Sequence, residues 1–343
     1  MANTDNKINI GDSFKSIDSI QINIGDSWKT ISEGYINIGD VWKKFWSSTS
    51  TAGRGVMIGG GGGLNTIDYI TIATAGNATD FGDMLAANGI INGATSNGTN
   101  QRGVHWGDST YEICYITINS TGNSTDFGDY NSYRSNACYT SNGTNERAIY
   151  AGGLAVYPTP LNIIEYITIN STGDGTDFGD LTIARWGTTG VANATNERAI
   201  YGGGDTNGSS PQNFIDYVTI NSANDATDFG DLSVTNEYMG KSSNGTNERA
   251  LFYGRWTGSV SNIIDYLTIN SASNATDFGD LTVSRGILSG TDNKTSERGV
   301  ATGGTTSSAS NVIDYVTINS TGNATDFGDL TVARNSNGAT SNA

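Results

Sequence analysis

One stretch, Asn-Val-Ile-Asp-Tyr-Val-Thr-Ile-Asn-Ser-Thr-Gly-Asn-Ala-Thr-Asp-Phe-Gly-Asp-Leu at 311–330, occurs in six variant copies, and its period limits the chain to very few folds. The Asp-Phe-Gly-Asp core begins at Asp80, Asp126, Asp177, Asp228, Asp277 and Asp326, at intervals of 46, 51, 51, 49 and 49 residues. A second block, Asn-Gly-Thr-Asn-Glu-Arg and its variants, keeps step through Arg54, Arg102, Arg147, Arg198, Arg249 and Arg298. A period near fifty made of short β-type runs predicts a propeller or another repeat array, in which each unit buries its faces against its neighbours.

Each copy divides into four such runs. In the fourth copy, 198–204 is apolar and ends in glycines, 214–220 is β-branched and apolar on both faces, 226–234 carries the Asp-Phe-Gly-Asp core, and the last run opens at Tyr238. A strand apolar on both faces needs cover on both sides, as in a sheet packed between two others. No stretch shows the 3.6-residue apolar period of a helix. The Gly, Asn, Thr and Ser that dominate the composition suit short strands joined by tight turns.

At these residues the chain resembles the kelch family of β-propellers. Glycine pairs close one strand at Gly59-Gly60, Gly152-Gly153, Gly203-Gly204 and Gly303-Gly304. A tyrosine marks the next strand at Tyr69, Tyr115, Tyr166, Tyr217, Tyr266 and Tyr315. Phe81, Phe127, Phe178, Phe229, Phe278 and Phe327 stand where the family usually has Trp, and are read as plugs between blades. An arginine precedes the next innermost strand at Arg134, Arg185, Arg285 and Arg334, with Asn236 and Ala87 or Asn88 as departures. The resemblance spans about 52–343 and implies a propeller; kelch-type propellers serve as enzymes, adaptors and adhesins, so it implies no single activity.

The two ends of this region complete one another. It opens with the glycine-ended strand at Arg54 and finishes on 335–342, the equivalent of an innermost strand. Joined, they make one blade, so the expected fold is all-β: a six-bladed propeller at 54–343 whose first blade is closed by the C-terminal strand.

Residues 1–46 follow a different rule. Ile-Asn-Ile-Gly-Asp occurs at 8–12, 22–26 and 36–40, each followed by an aromatic residue and Lys, with the aromatics at Phe14, Trp28 and Trp42. Three hairpins are expected, and about forty residues are marginal for a core of their own. Their apolar faces need a partner, so Phe14, Trp28 and Trp42 are the expected docking residues, for self-association or for another protein; a β-extension lying against the main domain is the alternative. The segment resembles short β-repeats of tailed-phage structural proteins, which implies a virion component as that other protein. That resemblance implies a virion-surface location, with an extracellular or cytoplasmic place as the alternative. Residues 47–53, Ser-Ser-Thr-Ser-Thr-Ala-Gly, read as a small linker.

Charge excludes several functions. Lys and Arg total 18 against 34 Asp and Glu, a net charge of −16, so the cationic footprint of a nucleic-acid binder is missing. An anionic membrane surface is disfavoured on the same ground. No apolar run approaches the ~20 residues that span a bilayer, and the N-terminus lacks the pattern of a signal peptide. Cys114 and Cys138 form no disulfide framework; Cys114 stands where the other copies have Asp or Glu and reads as drift in one copy.

No motif points to catalysis. Six Asp-Phe-Gly copies without a catalytic-loop His-Arg-Asp are not a kinase site. Gly59–Gly63 lacks the Lys-Ser/Thr of a phosphate loop. His105, the single histidine, falls on an apolar strand position, which leaves a nucleophile without a base. No zinc-ligand spacing exists. The Asn-Ala-Thr-Asp-Phe-Gly-Asp loops, such as 77–83, offer oxygens suited to calcium, or else Asx-type turns. The Glu-Arg pairs at Glu146-Arg147, Glu197-Arg198, Glu248-Arg249 and Glu297-Arg298 recur at one point of every copy. Recurrence indicates a structural charge network between blades, because a carboxylate pair of glycosidase type would be unique. No enzyme, metal or cofactor is expected.

Comparison of the copies singles out one face. Connections in a four-stranded blade alternate between the two faces of the disc. The loops between first and second strands and those between third and fourth share one face, and they are nearly identical in all copies. The loops of the other face diverge, as at 154–160, 205–212 and 255–261. That face gathers Tyr111, Tyr133, Tyr157, Trp186, Tyr238, Arg255 and Trp256, residues suited to stacking on sugars or anchoring a protein. The function expected is therefore a non-enzymatic phage virion protein, of tail-fibre, spike or capsid-fibre type, whose propeller binds a cell-surface receptor or glycan. The alternative is a cellular carbohydrate-binding adhesin or interaction scaffold.

Overall fold

A computed structural model describes residues 53–85, 91–96, 101–107, 112–131, 134–141, 147–192, 197–243, 248–293 and 297–342, with backbone alone at 91, 92 and 107. Of the preceding segment it describes the backbone of strands between residues 7 and 47. The chain divides into two compact units, 1–52 and 53–343.

In the first unit, three antiparallel hairpins pair Lys7–Asn9 with Phe14–Ser16, Ile20–Ile24 with Ser27–Ile31, and Glu33–Ile38 with Val41–Ser47. The Ile-Asn-Ile runs at 22–24 and 36–38 lie on the first strand of their pairs, as do Ile8 and Asn9 of the first run. Phe14, Trp28 and Trp42 fall on the second strands, and their side chains lie outside the described structure.

The second unit is a six-bladed β-propeller, and no helix occurs among its described residues. Each blade is a four-stranded antiparallel sheet with its strands in chain order. One runs Gly240–Ser243, Arg249–Trp256, Val260–Thr268 and Thr276–Arg285 from the channel outward. The closing blade takes its innermost strand, Gly338–Ser341, from the C-terminus, and pairs it with Arg54–Gly60 in the register Gly338↔Ile58 to Ser341↔Gly55. Six apolar clusters fill the six gaps between neighbouring blades. In the last of them Val300, Ile313 and Phe327 meet Met57, Ile70 and Ala339, so the ring is closed by core as well as by strand pairing.

The recurring motifs are the blade-to-blade contacts. All six Asp-Phe-Gly-Asp phenylalanines are 2–3% exposed, and each packs edge-on against the tyrosine of its own blade at 5.7–6.2 Å. The following glycine has φ between 145° and 152°, and a Cβ there would meet the neighbouring blade's backbone at 2.5–2.6 Å. Only glycine allows that approach. The next residue, an Asp, donates its backbone N–H to an Asn or Asp side-chain oxygen of the neighbouring blade, as from Asp83 to Asn123 Oδ1 (3.0 Å) and from Asp329 to Asn77 Oδ1 (3.1 Å). These oxygens, read from the sequence as calcium ligands or Asx turns, are inter-blade acceptors.

Two rows of arginines complete the joints. Arg54, Arg102, Arg147, Arg198, Arg249 and Arg298 each lie 4.3–4.6 Å above the tyrosine of their own blade. Each also donates to a carbonyl of the next blade at 2.9–3.1 Å, ending with Arg298 on Ile72. These arginines thus join neighbouring blades through the carbonyl while stacking on a ring of their own blade, each stacked pair worth about 0.5–1 kcal/mol or more where desolvated.

The second row is buried outright. Arg134, Arg185, Arg285 and Arg334 are 0% exposed and form ion pairs with Glu165, Asp216, Asp314 and Asp68 of the following blade. Where the sequence departs from arginine, the carboxylate partner changes too. Asn236 precedes a blade whose Asp265 is held by Ser233 Oγ instead (2.7 Å), and burial raises the Asp265 carboxyl above its ordinary range. Ala87 and Asn88, which lie outside the described residues, precede the blade in which Cys114 replaces the acid. Cys114 is therefore better explained by the missing arginine than by drift, because a carboxylate buried there would have no cation. Both cysteines are free and buried; burial raises the Cys114 thiol to about 12 and the Cys138 thiol also upward.

Candidate functional site

The innermost strands enclose a narrow channel lined by Ala94, Tyr139, Gly190, Lys241, Ser289 and Ala339. Lys241 is the one charged residue among those lining it, and its Nζ donates to the Tyr139 carbonyl two blades away. Burial lowers its amine to about 8. The side chain therefore bridges the channel between two of its innermost strands.

On the divergent face the channel opens into a cavity of about 580 Å³. One residue recurs at the same place in successive blades, just before the innermost strand: Asn136, Gly187, Tyr238, Ile287 and Ser336 all have φ between 50° and 65°, and all but Gly187 line the cavity. Asn and Gly tolerate that region readily, whereas Tyr238 and the β-branched Ile287 are held there at a cost of about 1–2 kcal/mol each. The fold imposes the dihedral at these five described positions, and the side chain that occupies it is free to differ.

The structure places several of the sequence-selected residues together at this mouth. Trp186, Tyr238 and Trp256 line the cavity. Trp186 packs edge-on against Tyr238 (5.8 Å) and against Tyr157 (6.2 Å). Tyr157, at the tip of a small extra hairpin formed by Leu154–Val156 and Thr159–Pro160, is 66% exposed and forms the outer rim. Arg255 is not part of the wall: its Nε donates to the Thr235 carbonyl (3.2 Å). Tyr111 and Tyr133 lie outside the described residues. His105 is packed in its strand, 2% exposed, with both ring nitrogens unpartnered among the described residues, and burial lowers it to about 4. It is neutral at physiological pH and lies away from the cavity wall.

Two acidic residues of the wall were not apparent from the sequence. Asp205 is spent on its own loop, accepting from the backbone N–H groups of Asn207, Gly208 and Ser210 at 2.6–3.0 Å. Glu237 is different. It is 7% exposed, pairs by a strand bridge with Trp256, and its Oε2 has no hydrogen-bond partner among the described residues. Burial first, then the charge of Asp205, push its carboxyl up to about 7. The one available signal was its position directly after Asn236, where the buried arginine is lost; the corresponding residues in other copies are Ser135, Trp186, Gly286 and Asn335.

A carboxyl raised from 4.5 to about 7 has a defined effect on stability. Between those values the unfolded chain releases a proton that the native state retains, so stability falls as pH rises through the window and stays low above it. Glu237→Gln removes the ionisable group. The variant is expected to be more stable than the parent by about 2 kcal/mol at pH 8 and indistinguishable from it at pH 4, as read from urea melts at the two pH values. An equal gain at both would show that the carboxyl is not the origin.

The site combines aromatic side chains, a cavity and a carboxyl set into its wall, features common to pockets that hold a ligand. Among the described residues no group of three or more His, Cys, Asp or Glu could hold a metal ion. No family model matches this chain, and no curated protein is significantly similar to it.

Proposed function

We propose that this chain is a non-enzymatic structural protein of a tailed-phage virion, of tail-fibre, spike or capsid-fibre type, whose propeller binds a host receptor or glycan. The observation that carries this reading is the gathering of Tyr157, Trp186, Tyr238 and Trp256 around one cavity on the face where the repeats diverge. Residues common to every blade serve the joints between blades, and divergence concentrated with half-exposed aromatics is what selection for a ligand produces. The repeats themselves are read as kelch-type, on the glycine pairs and on the tyrosine and arginine positions. Residues 1–46 supply the virion attachment in this reading, because their Ile-Asn-Ile-Gly-Asp and Trp-Lys repeats resemble tailed-phage structural segments. The same aromatic face would equally serve a cellular adhesin, and detection of the chain in purified particles separates the two.

Alanine at Tyr157, Trp186 and Trp256 together is expected to abolish attachment to host cells while lowering the melting temperature by no more than about 5 °C, since all three are at least partly exposed. Undiminished attachment by the triple variant would refute the assignment of this face.

A further inference from the structure

The cavity at the channel mouth combines three features that together restrict what it can hold. Its aromatic wall comes from two neighbouring blades, with Trp186, Tyr238 and Trp256 around one space. Its described lining contains Asp205 and Glu237 but neither Lys nor Arg. Glu237 is more than nine-tenths buried in that wall, with one carboxyl oxygen unpartnered. Elsewhere in this propeller the buried carboxylates Glu165, Asp216, Asp314 and Asp68 are each matched by an arginine, Asp265 by Ser233 and Asp205 by backbone N–H groups, whereas Glu237 has no counter-ion among the described residues.

An unpaired carboxyl behind electron-rich ring faces is the environment that attracts an organic cation. The ring quadrupoles stabilise positive charge over their faces, and the carboxylate, in its ionised form, adds a negative charge that a bound cation would in turn stabilise. A neutral sugar gains the stacking but leaves the carboxyl uncompensated. An anionic sugar or phosphate would be repelled by the wall and by the protein's net charge of −16. Because Glu237 Oε2 is set into the wall rather than presented at its surface, its charge acts without a direct hydrogen bond. That favours a quaternary ammonium, which has no donor to satisfy. We propose that the cavity binds a quaternary ammonium group on the receptor, held by Trp186, Tyr238 and Trp256 with Glu237 as counter-ion. This inference rests on the receptor-binding reading of the divergent face and specifies its ligand chemistry.

Cation burial also accounts for an unfavourable choice in the fold. Asn236 replaces the arginine that seals the equivalent joint elsewhere, and its side chain accepts from the N–H groups of Glu237 and Trp256 (2.8 and 3.1 Å). The residue in arginine's place thus fixes the backbone of both wall strands, and the cation is left to come from outside.

The test uses the full chain and two small probes, choline chloride and its uncharged carbon isostere 3,3-dimethylbutan-1-ol, followed by tryptophan fluorescence and saturation-transfer NMR. Choline is expected to bind saturably and at least about tenfold more tightly than the isostere, a factor worth ~1.4 kcal/mol. Glu237→Gln, which keeps the side chain's shape, should weaken choline by a similar factor and leave the isostere unchanged. Equal binding of the two probes, tighter binding of methyl glucoside than of choline, or undiminished choline binding by the Gln variant would each overturn the proposal. Loss of cell attachment in the triple alanine variant without any choline binding by the parent would overturn cation recognition alone and leave receptor binding by this face in place.

Discussion

Deleting residues 335–343 is expected to lower the melting temperature by about 10 °C or more, or to abolish cooperative folding. Three contributions are lost together. The ladder from Gly338 to Ser341 leaves, and with it the partner of the inner edge of Arg54–Gly60. Ala339 leaves the cluster that joins the last blade to the first. Asn342 no longer accepts the Arg54 N–H at 2.6 Å or donates to Asn119 at 2.5 Å. A buried strand edge without its ladder leaves unsatisfied backbone groups at roughly 1–3 kcal/mol each, so the total reaches ~5 kcal/mol or more. For a domain of this size that corresponds to ~10 °C. Calorimetry of the truncated chain checks the loss, and adding a peptide of residues 335–343 in trans should restore part of it. A truncated protein that melts like the full chain would refute closure by the C-terminal strand.

Removing one member of a buried ion pair is expected to cost about 3–5 kcal/mol, and removing both much less. Arg285 and Asp314 suit the experiment, since both side chains are 0% exposed and the bond is 2.6 Å. Arg285 also donates to the carbonyls of Gly303 and Val312, each at 2.7 Å. Arg285→Met keeps most of the volume but strands the Asp314 carboxylate with only Thr282 as a partner. Adding Asp314→Cys reproduces the arrangement the chain itself uses at Cys114, where the preceding arginine is missing. The double variant should recover at least half of the loss in a denaturant-melt double-mutant cycle. Additive losses would mean that the pair is not the unit of stabilisation. The recovery is limited by the two carbonyls that lose their donor.

Much of this fold was legible because a propeller repeats its neighbour contacts. The plug at Phe81 and its equivalents, the glycine beside it and the arginine over the tyrosine recur in six copies, so each marks a joint that the ring needs six times. Closure could be read from what each end lacked. Part of the site was legible by the opposite logic: Tyr157, Trp186, Tyr238 and Trp256 stand out because the copies differ there. Arg255 shared that divergence yet turns to the Thr235 carbonyl, since divergence marks a loop and does not orient a side chain. Cys114 looked like drift because its explanation lies in the preceding copy, where the sequence lacks the arginine that pairs with the equivalent acid in other blades.

The sequence by itself determined the number of blades, their four-strand content, the joining of the two ends and the face on which variation collects. These follow from local pattern and period, which a single chain displays in full. Only the tertiary structure decided that Glu237 stands apart among the 34 acidic residues. Burial, the nearby charge of Asp205 and the absence of a facing cation among the described residues make it so, and each of these depends on which blades meet. Tertiary structure likewise decided that Lys241 bridges the channel, because the Tyr139 carbonyl it reaches is 102 residues away in sequence.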